Sequence, residues 1–519
     1  MASTFFGLTI AYSGLQAANT SLTITGHNVS NINTKGYTKQ QAGTQAADAL
    51  RTHTTYGAIG SGVVVTEISQ IRDSYYDVKY RNNMANYGQY SVKESYMGQI
   101  EDYLDEFTLN GYSQEYKNFF SAVNQLTITP GDTSAKNQLI NNAKSLADYF
   151  NTLTTNLRNV QADANNEIKD AVQQINSYAK NIAALNRQIN QIEANYGNAN
   201  DLRDKRNAMI DELSEIVNLE TSEEDMGNNV SNFSVRINGQ TLVSSYSYNT
   251  LETVARADKK NYSDAEGLYD VQWNSGQKFD MYSTSLSGHL KGLIDIRDGN
   301  NGEHENIETD DDGNNVTDSD GNLVLTTAPA ADKTVSYKGV PYYQAQLNEF
   351  AKIFSDAVNK IMKSGYTSDG SSKGISLFVT QPNTTVMSAG NITVNPELLK
   401  NADLLAIKKE QNDGESDAQI MEELNKLQSE KIFAGGTGSY FLESIVSDMS
   451  IDSQKAVNLY KNYTDLKTSI HNQRLSIMGV DTDEEAMDMI KYQQAYNLNS
   501  KMMSVMNQIY DKLINQTGI

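Results

Sequence analysis

Residues 139–196 read LINNAKSLADYFNTLTTNLRNVQADANNEIKDAVQQINSYAKNIAALNRQINQIEANY, a stretch without Gly or Pro that decides the fold. Apolar and small residues recur in it at alternating steps of four and three, and the rhythm slips once, between Val160 and Ile168. Such a stripe is typical of one long helix, or of two helices end to end, packed along one face. We therefore predict an elongated helical bundle. The stripe comprises Leu139, Ala143, Leu146, Phe150, Leu153, Leu157, Val160, Ala164, Ile168, Ala171, Ile175, Tyr178, Ile182, Leu185, Ile189, Ile192 and Tyr196.

On the C-terminal side of this stretch the period changes. A shorter helix is predicted over 202–217, after which alternating apolar residues and the turn Asn238-Gly239 predict a β-hairpin. Residues 269–273 alternate in the same way, and we expect strands to dominate as far as about residue 340. Helical spacing returns at 347–361, where Gly365 is expected to end the helix, and again at 420–427 and 459–477.

These patterns predict a mainly α protein with an inserted β domain. We expect three parts: residues 1–60 and 478–519 as a terminal helical coiled-coil domain, residues 61–225 and 341–477 as a long helical bundle, and residues 226–340 as a β-rich outer domain.

Composition restricts the class of protein. The 519 residues exceed the usual domain size several-fold, and 42 Lys and Arg against 64 Asp and Glu give a formal charge of −22. A surface this acidic repels nucleic-acid phosphate and anionic lipid, so neither nucleic acid nor a membrane is an expected partner. The hydrophobic fraction of 38% and the mean hydropathy of −0.55 favour thin cores.

No catalytic or metal-binding motif stands out. The chain has no cysteine, its five histidines are scattered, and the phosphate-binding loop signature is absent, so we expect no enzyme activity, cofactor or metal. The acidic segment 298–332 contains an imperfect Asp-Gly repeat, but Asn315 occupies the position where a calcium loop starting at Asp310 needs Gly. Asp-Gly turns at an exposed hairpin tip explain this segment better.

The N-terminal residues form an a/d seam that needs a partner. The seam comprises Leu8, Ala11, Leu15, Ala18, Leu22, Thr25, Val29 and Ile32. Gly7, Gly14 and Gly26 each cost ~1 kcal/mol of helix propensity, so this helix is marginal alone.

The C-terminal residues offer that partner. A helical face there combines Met487, Ile490, Leu498, Met502, Val505, Ile509 and Leu513. It fits both an intrachain seam and a surface that pairs between subunits.

Both ends also resemble a known family. Residues 28–40, NVSNINTKGYTKQ, and residues 479–496, GVDTDEEAMDMIKYQQAY, are similar to the terminal signatures of the axial proteins of the bacterial flagellum. Internal segments 60–63, 201–207 and 288–298 resemble one member group, the flagellar hook-associated protein 1 family.

This resemblance implies a structural adaptor that polymerises at the junction between hook and filament. Its implied partners are identical subunits, the hook protein, the second hook-associated junction protein and an export chaperone at the C-terminal helix. It also implies an extracellular location reached by type III export, which agrees with the absence of a cleavable signal peptide. The expected assembly residues are Leu8, Leu15, Leu22, Val29, Ile32, Ile490, Leu498, Met502, Val505, Ile509 and Leu513. The expected motif residues are Asn28, Asn31, Asn33, Gly36, Tyr37, Gln493 and Tyr496.

Two alternatives remain at this point. Another flagellar axial protein, such as the hook protein, shares similar ends, but a mainly β body does not accommodate the helical stretch. A secreted hydrolase carried on flagellar-type ends is disfavoured by the lack of metal motifs.

Overall fold

The computed structural model describes residues 6–51, 58–109, 112–310, 314–317, 321–329, 335–414 and 416–516. Helices dominate these residues. They are α1 (Phe6–Ser30), α2 (Ser74–Leu109), α3 (Tyr112–Ile128), α4 (Thr133–Glu193), α5 (Asn200–Ile216), α6 (His289–Asp298), α7 (Val340–Ser364), α8 (Pro396–Lys400), α9 (Gln419–Lys426), α10 (Gly438–Met478) and α11 (Thr482–Asp511). A 3₁₀ turn spans Ala402–Leu404, and a π-helical turn, Lys512–Gln516, follows α11.

The strands are short and pair in antiparallel fashion. They are β1 (Gln40–Ala46), β2 (Leu50–Arg51), β3 (Ala58–Ile59), β4 (Val63–Gln70), β5 (Glu220–Asp225), β6 (Ser231–Ile237), β7 (Gln240–Ser244), β8 (Ser247–Tyr248), β9 (Leu251–Ala255), β10 (Tyr269–Trp273), β11 (Glu303–Ile307), β12 (Leu325–Pro329), β13 (Tyr366–Thr367), β14 (Phe378–Thr380), β15 (Ile392–Val394) and β16 (Ala406–Lys408). One four-stranded sheet has the order β5-β6-β7-β8, and the other sheets each contain two strands.

The chain divides into two compact units. The terminal unit comprises Met1–Ala85, Ile175–Thr250 and Thr464–Ile519, and the middle unit comprises Asn86–Gln174 and Leu251–Tyr463. The division falls within α2, α4 and α10. The three-part organisation expected from the sequence remains a proposal.

Residues 139–193 of the helical stretch lie in a single helix, α4, which confirms the long helix that its stripe predicts. The stripe residues are buried from Leu139 to Ile189 except for Tyr178, which is half-buried. The predicted stripe extends past the buried face of α4 at its C-terminal end. Ile192 is partly exposed, and Tyr196 is 90% exposed and lies beyond the end of the helix.

In the terminal unit, the end of α4 packs against the four-stranded sheet. Asn186 Nδ2 donates to the carbonyl oxygens of Phe233 and Ser245, and Asn190 Nδ2 donates to that of Ser231. The predicted hairpin is confirmed: β6 and β7 pair across Asn238 and Gly239, both with positive φ, as a type I′ turn requires.

In the middle unit, aromatic rings fill the core. Phe350 lies 4.9 Å from Phe433 and 5.7 Å from Phe354 between ring centroids. The other rings of this cluster, which we call the phenylalanine core, are Tyr116, Phe119, Phe120, Phe150, Phe378 and Phe441. Offset and edge-on aromatic pairs of this kind add stability beyond the area that they bury.

Several details differ from the sequence expectations. Strands do not fill the region up to residue 340, because α6 occupies His289–Asp298 and is almost wholly buried. The patterns also do not predict α2 and α3, whose buried faces use Tyr, Met and Phe in place of a regular Leu stripe. Gly365 ends α7 as expected but has φ −102°, and a Cβ there would lie 2.4 Å from the Ile420 side chain. Close packing, not a left-handed turn, therefore requires this glycine.

Candidate functional site

The terminal helices α1 and α11 pack against each other in antiparallel directions. A Cβ added to Gly7 would lie 2.7 Å from Met506, and one added to Gly14 would lie 2.6 Å from Asn499. Farther along, Asn28 contacts Glu485. The glycines that weaken α1 as an isolated helix are thus the residues that allow α11 to approach it.

Small and polar side chains fill the interface between α1 and α11. On α1 the buried residues include Ala11, Ala18, Ser21 and Thr25. Of the predicted a/d seam, the smaller members Ala11, Ala18 and Thr25 are buried. Leu8, Leu15, Leu22 and Val29 stay half-buried, and Ile32 lies beyond the end of α1 and is exposed.

The apolar stripe predicted on α11 faces away from α1. Its residues are 45% to 69% exposed, and they are Ile490, Leu498, Met502, Val505, Ile509 and Leu513. The half-buried residues of α11, among them Tyr492, Asn499 and Met506, lie on the other face. An intrachain seam built from the apolar stripe is therefore wrong for α11, because the close contacts with the α1 glycines use Asn499 and Met506.

A groove runs beside this pair. Leu15 borders it from α1, and Ser500, Met503, Ser504 and Asn507 border it from α11, with a volume of about 750 Å³. Leu15 therefore belongs to an open surface to which both helices contribute.

A polar joint forms where α1, the loop after it and α11 meet, and we define it as Asn28, Tyr37, Lys39, Gln40 and Glu485. Asn28 Nδ2 donates to the Gln40 carbonyl oxygen at 2.9 Å and to the Glu485 carboxylate at 3.2 Å. Asn28 Oδ1 accepts from the Tyr37 hydroxyl at 2.7 Å and from the Gln40 backbone N–H at 3.0 Å. One asparagine thus uses both ends of its amide to join α1, the following loop and α11.

Charge locks the same joint. Lys39 Nζ lies 2.7 Å from Glu484 and 3.2 Å from Glu485, and its backbone N–H donates to the Met478 carbonyl oxygen at the end of α10. Burial opposes the charge of Lys39, but hydrogen bonds to Glu484 and Glu485 raise its pKa. Burial and nearby carboxylates raise the pKa of Tyr37, so its phenol remains a donor.

The other motif residues have separate roles. Asn31 accepts from the Thr34 hydroxyl and donates to the His27 carbonyl oxygen, which shapes the turn after α1. Gly36 has φ +81°, a conformation that disfavours other residues, whereas Asn33 is exposed. On α11, Gln493 is exposed and Tyr496 is half-buried. The structure therefore brings Asn28 and Tyr37 together and leaves Asn33 and Gln493 outside the joint.

A second group of charged residues lies next to the polar joint. We call it the charge cluster, and it comprises Arg72, Asp77, Arg81, Asp204, Asp211 and Arg474. Thr38 donates to both oxygens of Asp204, at 2.9 Å from its N–H and 2.7 Å from its hydroxyl, and Arg72 reaches Asp204 at 3.4 Å. Burial raises the pKa of Asp204 despite these hydrogen bonds and the charge of Arg72.

The cluster extends through paired arginines. Arg72 and Arg474 both bind Asp77, at 2.6 and 2.8 Å, and Arg81 and Arg474 both bind Asp211, at 2.8 and 2.6 Å. Burial alone would lower the pKa of Arg474, but Asp211 and Asp77 raise it. Buried charges paired in this way are costly to remove singly.

Sequence reasoning missed most of these partners. Asp204 lies within 201–207, a segment that resembles the family, so the sequence pointed to this residue. Glu485 follows Glu484 in an acidic helix start that the helix dipole already explains, and only the structure separates the buried Glu485 from the exposed Glu484. Arg474 lies too far in sequence from Arg72 and Arg81 for any spacing rule to join it to them.

The described part of the chain contains no group of three or more His, Cys, Asp or Glu residues arranged for a metal ion. The acidic repeat lies partly outside it, because residues 311–313, 318–320 and 330–334 are not described. Among the described residues, no helix is long and apolar enough to cross a membrane.

Two parts of the chain match families of known proteins. Residues 97–378, more than half of the chain, match the family described as flagellar hook-associated protein FlgK helical domain. Residues 471–516, which include α11, match the flagellar basal body rod FlgEFG protein C-terminal family. The chain belongs to the flagellar hook-associated protein 1 family.

Full-length relatives support this family assignment. The chain is 27% identical to flagellar hook-associated protein 1 of Bacillus subtilis over 100% of this chain and 99% of the relative. It is 28% identical to that of Salmonella typhimurium and 26% identical to that of Escherichia coli, each over 97% of this chain and 98% of the relative.

A solved structure shows the same fold. The flagellar hook junction protein FlgK from Burkholderia pseudomallei matches with a TM-score of 0.59 and 14% identity, covering 77% of this chain and all of that chain. As a member of the flagellar hook-associated protein 1 family, the chain is a structural protein of the flagellar hook–filament junction.

Proposed function

We propose that the chain polymerises at the junction between hook and filament through the outward apolar face of its paired terminal helices. The observation that carries this proposal is the inverted arrangement of α11 and the turn that follows it. Six large apolar residues point to solvent there, while the inner face of α11 meets Ala, Ser and Gly of α1. A large exposed apolar surface on a soluble protein marks an interaction site. The half-buried leucines of α1 extend this surface on the other helix.

The assembly partners follow from this location. Identical subunits occupy the lateral contacts, the hook protein lies on one side, and the second hook-associated junction protein lies on the other. The chain acts as an adaptor without catalysis, and the structural names of its relatives support this part of the proposal.

Export precedes assembly. The chain leaves the cell by type III export without a cleaved signal peptide and folds outside, at the flagellum. The absence of cysteine supports passage as an unfolded thread, since no disulfide can obstruct it. The glycines of α1 keep the terminal pair marginal until neighbours cover it, so its ordering is coupled to assembly.

Leu15→Asp tests the assembly surface. Because Leu15 is half-buried beside an open groove, we expect the folded monomer to survive while the hook–filament junction fails to form. Electron microscopy of a strain that carries only this variant should show hooks without filaments, with flagellin in the medium. The exposed neighbour offers a control, Gln16→Asp, which should leave filaments intact. Normal filaments on the Leu15→Asp strain would contradict the proposal.

The C-terminal helix is also the proposed binding surface for an export chaperone. Met502, Met503 and Met506 lie on α11 near its end, and methionine suits an adaptable contact. Deleting residues 487–519 should abolish chaperone binding in a pull-down with purified proteins. Unchanged binding of the truncated chain would place the chaperone elsewhere.

A further inference from the structure

A polar cleft in the middle unit has a character opposite to that of the chain as a whole. Its volume is about 820 Å³, within the range of small-molecule sites, and its lining includes three cations in a chain with a formal charge of −22. Such a local reversal of charge is a feature that a bound anion would explain.

Two of these cations have carboxylates nearby but no direct ion pair: Asp298 and Asp270 lie near Lys260, and Glu266 lies near Arg158. Arg158 Nε donates to the Ser263 carbonyl oxygen at 3.1 Å, and Lys260 Nζ contacts the Tyr282 hydroxyl and lies 3.9 Å from that ring. Neither forms an ion pair within the part of the chain that the structure describes. The third, Lys259, pairs with Glu266 at 2.7 Å. Arg158 and Lys260 are therefore the two lining cations that no carboxylate binds directly.

The rest of the lining suits a molecule rich in hydroxyl groups. Amide and hydroxyl side chains, among them Asn306, Gln381 and Thr384, border the cleft, and Tyr262 adds an aromatic ring. An amide both donates and accepts, so it can satisfy neighbouring hydroxyls that an apolar wall would leave unpaired.

Internal hydrogen bonds fix one loop that borders the cleft. Asn391 Nδ2 donates to the Val386 carbonyl oxygen, and its Oδ1 accepts from the Ser388 N–H at 2.9 Å, which fixes the bordering loop. A Cβ added to Gly390 would lie 2.9 Å from Thr154, so glycine lets this loop lie close to α4.

One carboxyl group also lines the cleft, but its oxygens are already engaged. Glu305 accepts from the Ser263 N–H at 2.9 Å and from Asn348 Nδ2. Burial raises the pKa of Glu305 to about 7, which reduces its negative charge near neutral pH. Its repulsion of an anion is therefore weakened.

We propose that this cleft binds an acidic saccharide, with Arg158 and Lys260 holding the carboxylate and the amide side chains taking the hydroxyls. This site is separate from the terminal helices, so it stands or falls independently of the assembly proposal. It would give the junction a binding function for acidic sugar polymers at the cell exterior.

The test uses the full chain and defined sugars. Titration calorimetry and NMR should show sodium glucuronate binding with a Kd on the order of 1 mM for the monosaccharide, as expected for a ligand of this size, and more tightly for its oligomers. Glucose should bind at least tenfold more weakly. Arg158→Gln and Lys260→Met should each weaken glucuronate binding about tenfold or more. Lys409→Met, which removes a cation paired with Glu423, is the control and should change nothing.

Other outcomes overturn the proposal. Equal affinity for inorganic phosphate and glucuronate would show a general anion site, and equal affinity for glucose and glucuronate would remove the role of the cations. If a cation variant fails to fold, the wild-type chain provides the test. The NMR chemical-shift changes that glucuronate causes must then cluster on residues that line the cleft, and changes elsewhere would overturn the proposal. Gln381→Ala removes an exposed amide that lines the cleft. It should weaken the binding of glucuronate and leave the binding of chloride and phosphate unchanged.

Discussion

The phenylalanine core of the middle unit and the terminal helix pair are built on opposite principles. In the middle unit the largest apolar side chains point inward, and Phe350, Phe354 and Phe119 have almost no exposed surface. In the terminal pair the small residues point inward, and Leu498, Val505 and Leu513 face solvent. The first region completes its own burial, whereas the second leaves its burial to another molecule.

This difference separates stability from assembly. A core of interlocking rings stabilises the subunit before it meets a neighbour. A helix pair joined by glycine contacts and one buried polar joint has a defined geometry, and the side chains that α1 buries in it are mostly small. Substitutions in the two regions should therefore differ in kind, in stability for one and in assembly for the other.

The largest effect is expected at the centre of the phenylalanine core. Phe350→Ala removes a ring stacked on Phe433 and leaves a cavity, so it should lower the free energy of unfolding of the middle unit by about 3–5 kcal/mol. Urea denaturation measures this loss of stability, and hydrogen exchange shows which part of the chain loses it. The control Tyr196→Ala, at a side chain that is 90% exposed, should change stability little. A loss below about 1 kcal/mol for Phe350→Ala would show that the ring cluster is not the stabilising core.

The next effect distinguishes two neighbouring carboxylates in the polar joint. Glu485→Ala leaves the buried Lys39 with only the exposed Glu484 and removes one acceptor from Asn28, so it should cost about 3 kcal/mol. Glu484→Ala removes the nearer but largely exposed partner of Lys39 and should cost less than about 1 kcal/mol. Hydrogen exchange of α1 and α11 in the two variants measures both losses. Equal losses would mean that burial does not set the strength of this joint.

A smaller effect depends on pH and belongs to the middle unit alone. Glu305 has a pKa of about 7 when folded and an ordinary value of 4.5, so the folded protein holds the proton more tightly than the unfolded chain. Stability from this group is complete below about pH 4.5 and is lost as pH rises to about 7, by an amount on the order of 3 kcal/mol.

Glu305→Gln should flatten this dependence because the amide does not titrate. Thermal denaturation at pH 5 and pH 8 measures it, and the wild type should lose more stability across this interval than the variant. An identical slope for both proteins would remove Glu305 as the source.

The sequence predicted regular elements better than it predicted their inward faces. The stripe of α4 gave one long helix because Leu, Ile and Ala recur in it without a break, and Asn238-Gly239 gave the hairpin turn because two positive φ angles are needed there. The faces of α11 could not be assigned, since an apolar stripe predicts burial without saying whether the burial is within the chain or between chains.

The polar joint lies at the limit of what a single sequence shows. Asn28 and Tyr37 could be singled out by resemblance, but Glu485 lies 457 positions from Asn28 and follows an identical residue. Only folding brings these groups within hydrogen-bond distance, so their pairing had no local signal.

The double variant Leu498→Asp with Val505→Asp is expected to have the smallest effect on stability and the largest effect on assembly. Both side chains are about half exposed or more, so the monomer's free energy of unfolding should change by less than about 0.5 kcal/mol for each substitution. The adjacent control, Asn497→Asp, adds charge at an exposed polar position of the same helix.

The most direct measurement is electron microscopy of hook–filament junctions in strains carrying the double variant or the control, together with the denaturation curve of each purified chain. We predict hooks without filaments for the double variant at wild-type monomer stability, and normal filaments for the control. Normal filaments on the double variant, or a monomer that loses its fold, would contradict the claim that the outward face of α11 serves assembly and not the fold of the subunit.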